Sequence, residues 1–258
     1  MKYRLVVCDS LITKITKKDT LFGGVYTLDP YQNCEFGCLY CDSSFDSTIH
    51  VKSNAVELLE KEIQSLKKGT IIVGSVNDPY QEAEKKYRLT RDILKIIRKY
   101  DFPCHILTKS NLVLRDTDIL TEIEDCKVTI SLLSLNETIS KLFEPLVPLP
   151  KERLQTVKTL SEMGIRTGVA LIPVLQYIVD NEIEEIIQSA SLHKAQYFMH
   201  KHLELKGDQK RCFLDIIAEH YPHFLSKYED LYQDSTTPKE AYILELNEKI
   251  KVYSKKYF

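Results

Sequence analysis

Three cysteines fall in one short run, Cys34-Glu-Phe-Gly-Cys38-Leu-Tyr-Cys41. Thiolates are soft ligands that suit iron-sulfur clusters and zinc, and an ordinary four-iron cluster takes four of them. One loop here offers three. That would leave one iron of a cubic cluster without a protein ligand, an open position of the kind catalytic metal sites keep for substrate. Gly37 lets the loop turn through backbone angles that other residues resist, and the two-residue gap before Cys41 helps the sulfurs converge. The alternatives are a zinc site, or reduced thiols that are neighbours by chance. Structural zinc sites usually pair two C-x2-C or H-x3-H halves, and no second pair follows, so the spacing favours a cluster.

The remaining cysteines, Cys8, Cys104, Cys126 and Cys212, are scattered at spacings that suggest no disulfide framework. Each reads as a small core residue. Cys8 is the nearest upstream candidate for a fourth protein ligand, which would instead make the chain a non-catalytic metal-binding or electron-transfer protein.

The elements that position the triplet follow from periodicity. From Val25 onward, short β-rich runs alternate with helical stripes, the signature of a parallel sheet built from βα units. Strands are predicted near Val25 to Leu28, Thr70 to Val76, Cys104 to Thr108, Lys127 to Leu132, Arg166 to Ile172 and Ala195 to His200. Val56, Leu59, Ile63 and Leu66 recur at helical spacing, with Ser53 as N-cap and Gly69 at the stop. Leu89, Ile93, Ile96, Ile97 and Tyr100 make a second stripe, Leu154, Val157 and Leu160 a third, and Ile183, Ile186, Ile187 and Ala190 a fourth. Such stripes read as core-facing surfaces. The fold class is therefore α/β, a partial (β/α)6 barrel of TIM type with a short C-terminal extension. Within 258 residues the expected division is a core over 1–205, with 1–22 packing on it, and a mostly helical extension over 206–258. Tyr242 to Tyr253 fits either a helix or a hairpin.

A net charge of −2 gives no global footprint for nucleic acid, although a local basic groove would not show in a sum. No apolar run follows the opening Met-Lys-Tyr-Arg, and no stretch of about 18 uncharged apolar residues is present, so a soluble, cytoplasmic protein without a membrane span is expected.

In parallel barrels, ligands gather at the loops beyond the C-terminal ends of the strands. The cysteine loop follows the first strand. Ser75 to Gln81, Lys109 with Ser110, and Ser131 to Asn136 follow the next three and should surround a common pocket. Lys109 offers a fixed positive charge for a carboxylate, or is a solvated loop lysine. Ser131 offers a hydroxyl to the same group, or is satisfied by backbone. Asp78-Pro79 is a turn former as well as a site element. His200 and His202, two apart, would share one face of an extended strand near the barrel mouth, though a surface or core histidine is the commoner outcome.

Taken with Tyr26-Thr-Leu-Asp-Pro-Tyr-Gln-Asn-Cys34, Asp78-Pro-Tyr-Gln81, Arg88-Leu-Thr-Arg91, Leu107-Thr-Lys-Ser110, Leu114-Arg-Asp116, Glu144-Pro145, Arg153-Leu154 and Gly164-Ile-Arg-Thr-Gly-Val169, the triplet resembles the radical S-adenosylmethionine (SAM) enzymes related to spore photoproduct lyase. The resemblance implies a 4Fe-4S cluster on Cys34, Cys38 and Cys41, with the amino and carboxylate groups of SAM on the fourth iron. One electron would then cleave the sulfonium to give methionine and a 5′-deoxyadenosyl radical that takes hydrogen from a substrate. It further implies an external electron donor of flavodoxin or ferredoxin type. By the same comparison Tyr40 lies near the adenine, Lys109 and Ser131 hold the SAM carboxylate, and Ser75 completes the cofactor-binding set. The lyase uses a cysteine after its second strand to return hydrogen to repaired thymine, and the comparable position here is Ser75. A serine O–H bond is too strong to donate hydrogen readily, so the cofactor chemistry carries over and the DNA lesion does not. The substrate stays open, since fold does not fix it. A DNA or RNA repair lyase is the third alternative, and it predicts binding that weakens steeply with salt.

Overall fold

Six short apolar runs become parallel strands laid side by side in chain order. The computed structural model describes residues 1–44, 46–233 and 235–258. The N-terminal strands are β1 (Lys2–Val6), β2 (Thr13–Lys14), β3 (Tyr26–Leu28), β4 (Tyr31–Gln32) and β5 (Thr48–Lys52), followed by α1 (Ala55–Glu62), β6 (Ile71–Val73), α2 (Glu82–Tyr87) and α3 (Leu89–Lys99). Then come β7 (Cys104–Thr108), α4 (Thr117–Leu120), β8 (Cys126–Ser131), α5 (Glu137–Phe143), α6 (Pro150–Glu162), β9 (Arg166–Val174), α7 (Ile183–Leu192) and β10 (Phe198–His202). The chain ends in α8 (Gly207–His220), α9 (Leu225–Leu231) and α10 (Glu240–Tyr257).

Strands β3, β6, β7, β8, β9 and β10 pair in that order, all parallel, and β2 adds antiparallel to the outer edge of β3. Helical crossovers between successive parallel strands are what force the intervening stripes to face the sheet. Ile71, Val73, Ile106, Val128, Ile130, Val169 and Leu171 are buried from one side, and Ile93, Ile97, Val157, Leu160, Ile183 and Ile187 cover them. The sheet is an open barrel of six parallel strands, as the alternation of runs and stripes implies.

Three features depart from the sequence reading. A second sheet, ordered β1-β5-β4, brackets the cysteine loop. The Ser53 hydroxyl does not cap α1 but donates to the Val6 carbonyl at 3.1 Å. Its neighbour Asn54 is spent in the same way, exchanging bonds with the Cys8 backbone at 3.0 and 2.8 Å, so both polar side chains tie down the exit of β1. Gly69 is not a helix stop, because α1 and the 3-10 turn after it end by Ser65. It allows close approach instead: a Cβ there would lie 2.8 Å from that of Val25.

The ambiguous tail is helical. Leu246 and Ile250 of α10, with Phe213 and Ile217 of α8 and Tyr228 and Tyr232 around α9, join the same buried cluster as the barrel. Phe213 of α8 lies 6.0 Å from Phe143, ring to ring. Among the described residues no helix is long and apolar enough to cross a membrane.

Candidate active site

The cysteine loop leaves β3 at the C-terminal rim of the sheet, where the chain briefly pairs as β4 and then turns back. Asn33 takes a left-handed backbone (φ 68°) just before Cys34, and Gly37 does the same (φ 64°) between the first two thiols. Gly37 has the freedom to do so without strain. Asn33 is among the residue types that tolerate it, and its side chain donates to the Thr48 carbonyl at 2.8 Å. Cys34 N–H donates to Ser43 at 2.9 Å and Cys41 N–H to Cys38 at 3.1 Å, so the loop folds on itself.

Cys34, Cys38 and Cys41 all line one cleft, with Ser75, Asn77 and Asp78 from the loop after β6, Thr108 and Lys109 from the end of β7, and Ser131 from the end of β8. Phe22, Phe36, Leu107, Ala170 and Ile172 supply apolar walls. The space enclosed, solvent at the mouth included, is about 700 Å³. Among the described residues no three His, Cys, Asp or Glu side chains gather closely enough to close on one metal ion.

Two carboxylates lock the rim loops together. Asp29 accepts from the Ser75 hydroxyl at 3.1 Å and from the Val76 and Asn77 N–H groups at 3.2 and 3.0 Å. Asp78 accepts from the Thr108 hydroxyl and the Lys109 N–H, both at 2.7 Å, and from the Tyr80 N–H at 2.9 Å. Burial pushes both acids up, and these donors pull each back toward the ionised form. Burial likewise pushes the Cys34 thiol up to about 12, helped by Asp78, while the Phe36 and Asp78 N–H groups and Lys109 oppose it. Cys38 is raised for the same first reason, with Lys109 opposing. Buried thiols of this kind need a nearby cation before they ionise. Burial alone would lower Lys109, but Cys38, Glu144 and Asp78 outweigh it and hold the ammonium above its ordinary value.

The cleft thus brings together Cys34, Cys38, Cys41, Ser75, Lys109 and Ser131. Tyr40 sits behind it, not among the lining residues. Its ring lies 5.9 Å from the Lys109 ammonium, its hydroxyl donates to Glu144, and its carbonyl accepts from Gln209 of α8. Glu144 is paired in turn with Arg153 at 2.7 Å, both fully buried, and Arg153 donates to the Ser131 carbonyl at 2.9 Å. His200 turns away onto Asn247 of α10 at 2.9 Å, and neither it nor His202 lines the cleft. Cys8 lies elsewhere, its thiol 3.5 Å from the Asn54 side chain.

No periodicity or motif marks Phe22, which reaches the cleft from an irregular segment, or Gly74. Gly74 has φ 87°, and a Cβ there would lie 2.4 Å from Pro79 Cδ and 2.7 Å from the Leu107 carbonyl oxygen. Gly74→Ala is expected to lose about 1–3 kcal/mol. In urea the unfolding midpoint should fall with an unchanged slope. A wild-type midpoint would show that the close approach is not there.

The family model for the Radical SAM superfamily matches residues 28–190, well over half of the chain. The chain belongs to the radical SAM superfamily. Membership makes it an enzyme of radical SAM chemistry, with a 4Fe-4S cluster and SAM as cofactors. An uncharacterized protein of Methanocaldococcus jannaschii is 32% identical over 211 residues, 78% of each chain. An uncharacterized protein of Mycobacterium tuberculosis is 26% identical over 272 aligned positions, covering 98% of this chain and 80% of that one. Among solved structures, a Cys-to-Ser variant of spore photoproduct lyase superposes with a TM-score of 0.76 at 15% identity, over 99% of this chain and 79% of that one. Streptococcus suis SuiB bound to S-adenosylmethionine gives 0.56 at 13% identity, over 81% and 48%. These two structural likenesses concern the radical SAM fold alone.

Proposed function

We propose that Cys34, Cys38 and Cys41 hold the cluster, that SAM lies in the cleft beside it, and that the resulting radical takes hydrogen from a substrate entering at the open rim. The observation that carries this reading is the convergence of three thiols and one cation, Lys109, on a single cleft. When bound, cluster and SAM together supply one-electron cleavage of the sulfonium to methionine and a 5′-deoxyadenosyl radical.

The chain's own share is binding, orientation and exclusion of water. Lys109 offers its charge to the SAM carboxylate, and Ser131, held through its carbonyl by Arg153, offers a hydroxyl to the same group. Ser75 is turned toward Asp29, so it serves to fix the wall of the cofactor site. Tyr40 supports the adenine side from behind. Phe36, Leu107 and Ile172 dry the cleft. Residues 206–258 form an extension whose Gln209 holds the loop through the Tyr40 carbonyl. The electron comes from an external donor of flavodoxin or ferredoxin type.

No cysteine other than the three lines the cleft among the described residues. With a serine at position 75, a substrate radical would not be quenched by a protein thiol from that wall, which sets the chain apart from a photoproduct-repairing lyase. Spore photoproduct lyase has been seen with a dinucleoside photoproduct and SuiB with a precursor peptide.

The test is anaerobic reconstitution with iron and sulfide, followed by dithionite and SAM. The wild-type chain should release 5′-deoxyadenosine and Cys38→Ala should release none, as read by chromatography. A reducible cluster that never cleaves SAM would overturn the proposal.

A further inference from the structure

We propose that Gln81 is a positioning residue for Cys34, an inference that rests on the reading of Cys34 as a cluster ligand. Gln81 is fully buried. Its side-chain amide spans the cysteine: Oε1 accepts from the Glu35 N–H at 3.0 Å, and Nε2 donates to the Asn33 carbonyl at 3.1 Å. The peptide groups on either side of Cys34 are therefore held by one planar group. A primary amide offers a donor and an acceptor from the same carbon at any pH, which is what a carbonyl before the cysteine and an N–H after it require.

The surrounding bonds show that this is a clamp and not a chance contact. The Glu35 carboxylate accepts from the Ala83 N–H at 2.6 Å, at the start of α2, and from the Tyr3 hydroxyl at 2.7 Å. The segment Asp78-Pro-Tyr-Gln81 thus grips the first cysteine through Gln81 while its Asp78 carboxylate grips the backbone of Lys109. One turn sets the distance between a cluster ligand and the cation meant for SAM. Asn33 is already in a left-handed conformation, so without the clamp this peptide has reason to relax.

Gln81→Met keeps the volume and removes both bonds. In the full-length apo chain, iodoacetamide labelling resolved residue by residue by mass spectrometry should show Cys34 reacting about ten-fold faster or more, the scale expected when a buried backbone donor is left unpaired. Cys104 and Cys126, the buried first residues of β7 and β8, should label at the wild-type rate. In the reconstituted protein, chelator should strip iron correspondingly faster. Unchanged Cys34 labelling overturns the proposal, and so does faster labelling of all buried cysteines, which would signify general loosening. Should Gln81→Met fail to fold, Gln81→Asn keeps an amide but withdraws it by one methylene, so that it cannot reach both peptide groups. It should accelerate Cys34 labelling too, and a wild-type rate there overturns the proposal. If the wild-type chain took up no cluster, the functional reading would fail, and the labelling would still decide the clamp.

Discussion

Arg153→Met is expected to destabilise the protein by about 3–5 kcal/mol, the range found when one partner of a buried ion pair is removed. Arg153 and Glu144 are both sealed from solvent, 2.7 Å apart. The guanidinium also donates to the Ser131 carbonyl at 2.9 Å and to the Ser140 hydroxyl at 2.8 Å, so its loss leaves a buried carboxylate hydrogen-bonded only to the Tyr40 hydroxyl, with the Lys109 ammonium as a more distant counter-charge, and two acceptors without their donor. The cost is therefore dominated by the stranded charge. Glu144→Gln combined with Arg153→Met should recover part of it, because no uncompensated charge is then left in the interior. Urea unfolding of the two single variants and the double variant would measure this coupling. Strict additivity would mean that the two groups do not depend on each other and that the pair is incidental.

The same pair explains why the motif runs of the sequence were easier to find than to interpret. The triplet, Lys109 and Ser131 could be placed because a barrel rim collects the ends of its strands, and six apolar runs show where those ends are. Arg88-Leu-Thr-Arg91 and Leu114-Arg-Asp116 stood out equally, yet they build a buried network away from the cleft. Glu84 accepts from the Tyr31 hydroxyl at 2.5 Å and from Arg115 at 2.6 Å, and Asp116 pairs with Arg91 and Arg115, each at 2.7 Å. A motif records that residues are needed, and only the fold tells whether they meet ligand or each other.

Tyr40 is a similar case, since the spacing that brings it next to Cys41 says nothing about the direction in which its ring turns. The strands β1, β2, β4 and β5 escaped notice for plainer reasons, β5 because two alternating apolar residues, Ile49 and Val51, are too few to mark a period. β2 and β4 are two residues long and β1 is exposed along nearly all its length, so no apolar alternation marks them. Gln81 was visible as a letter in a motif. Its role depends on α2 folding back against the cysteine loop, a contact between residues more than forty positions apart.

Lys109→Met should weaken SAM binding about 10- to 150-fold, the loss expected for one charge-assisted hydrogen bond. The fold should tolerate the change. Asp78 is held by three donors that do not include the Lys109 ammonium, and Glu144 has Arg153, so neither carboxylate is stranded. The rim loops then keep their places and the effect falls on the ligand. Isothermal titration of the reconstituted protein with SAM and with 5′-methylthioadenosine separates the two roles the lysine could have. The second ligand carries the adenosine and the sulfur but no amino acid carboxylate, so its affinity should stay within about two-fold of wild type, the scatter expected for an uncoupled contact. Equal weakening of both ligands would show that Lys109 only props the cleft. Lys109→Arg should recover little, because a planar fork cannot occupy the place of a compact ammonium over the Tyr40 ring without moving it. A large loss for SAM alone, with the cluster intact, would tie the cation to the carboxylate and so fix which way the cofactor lies between the three cysteines and the open edge of the barrel.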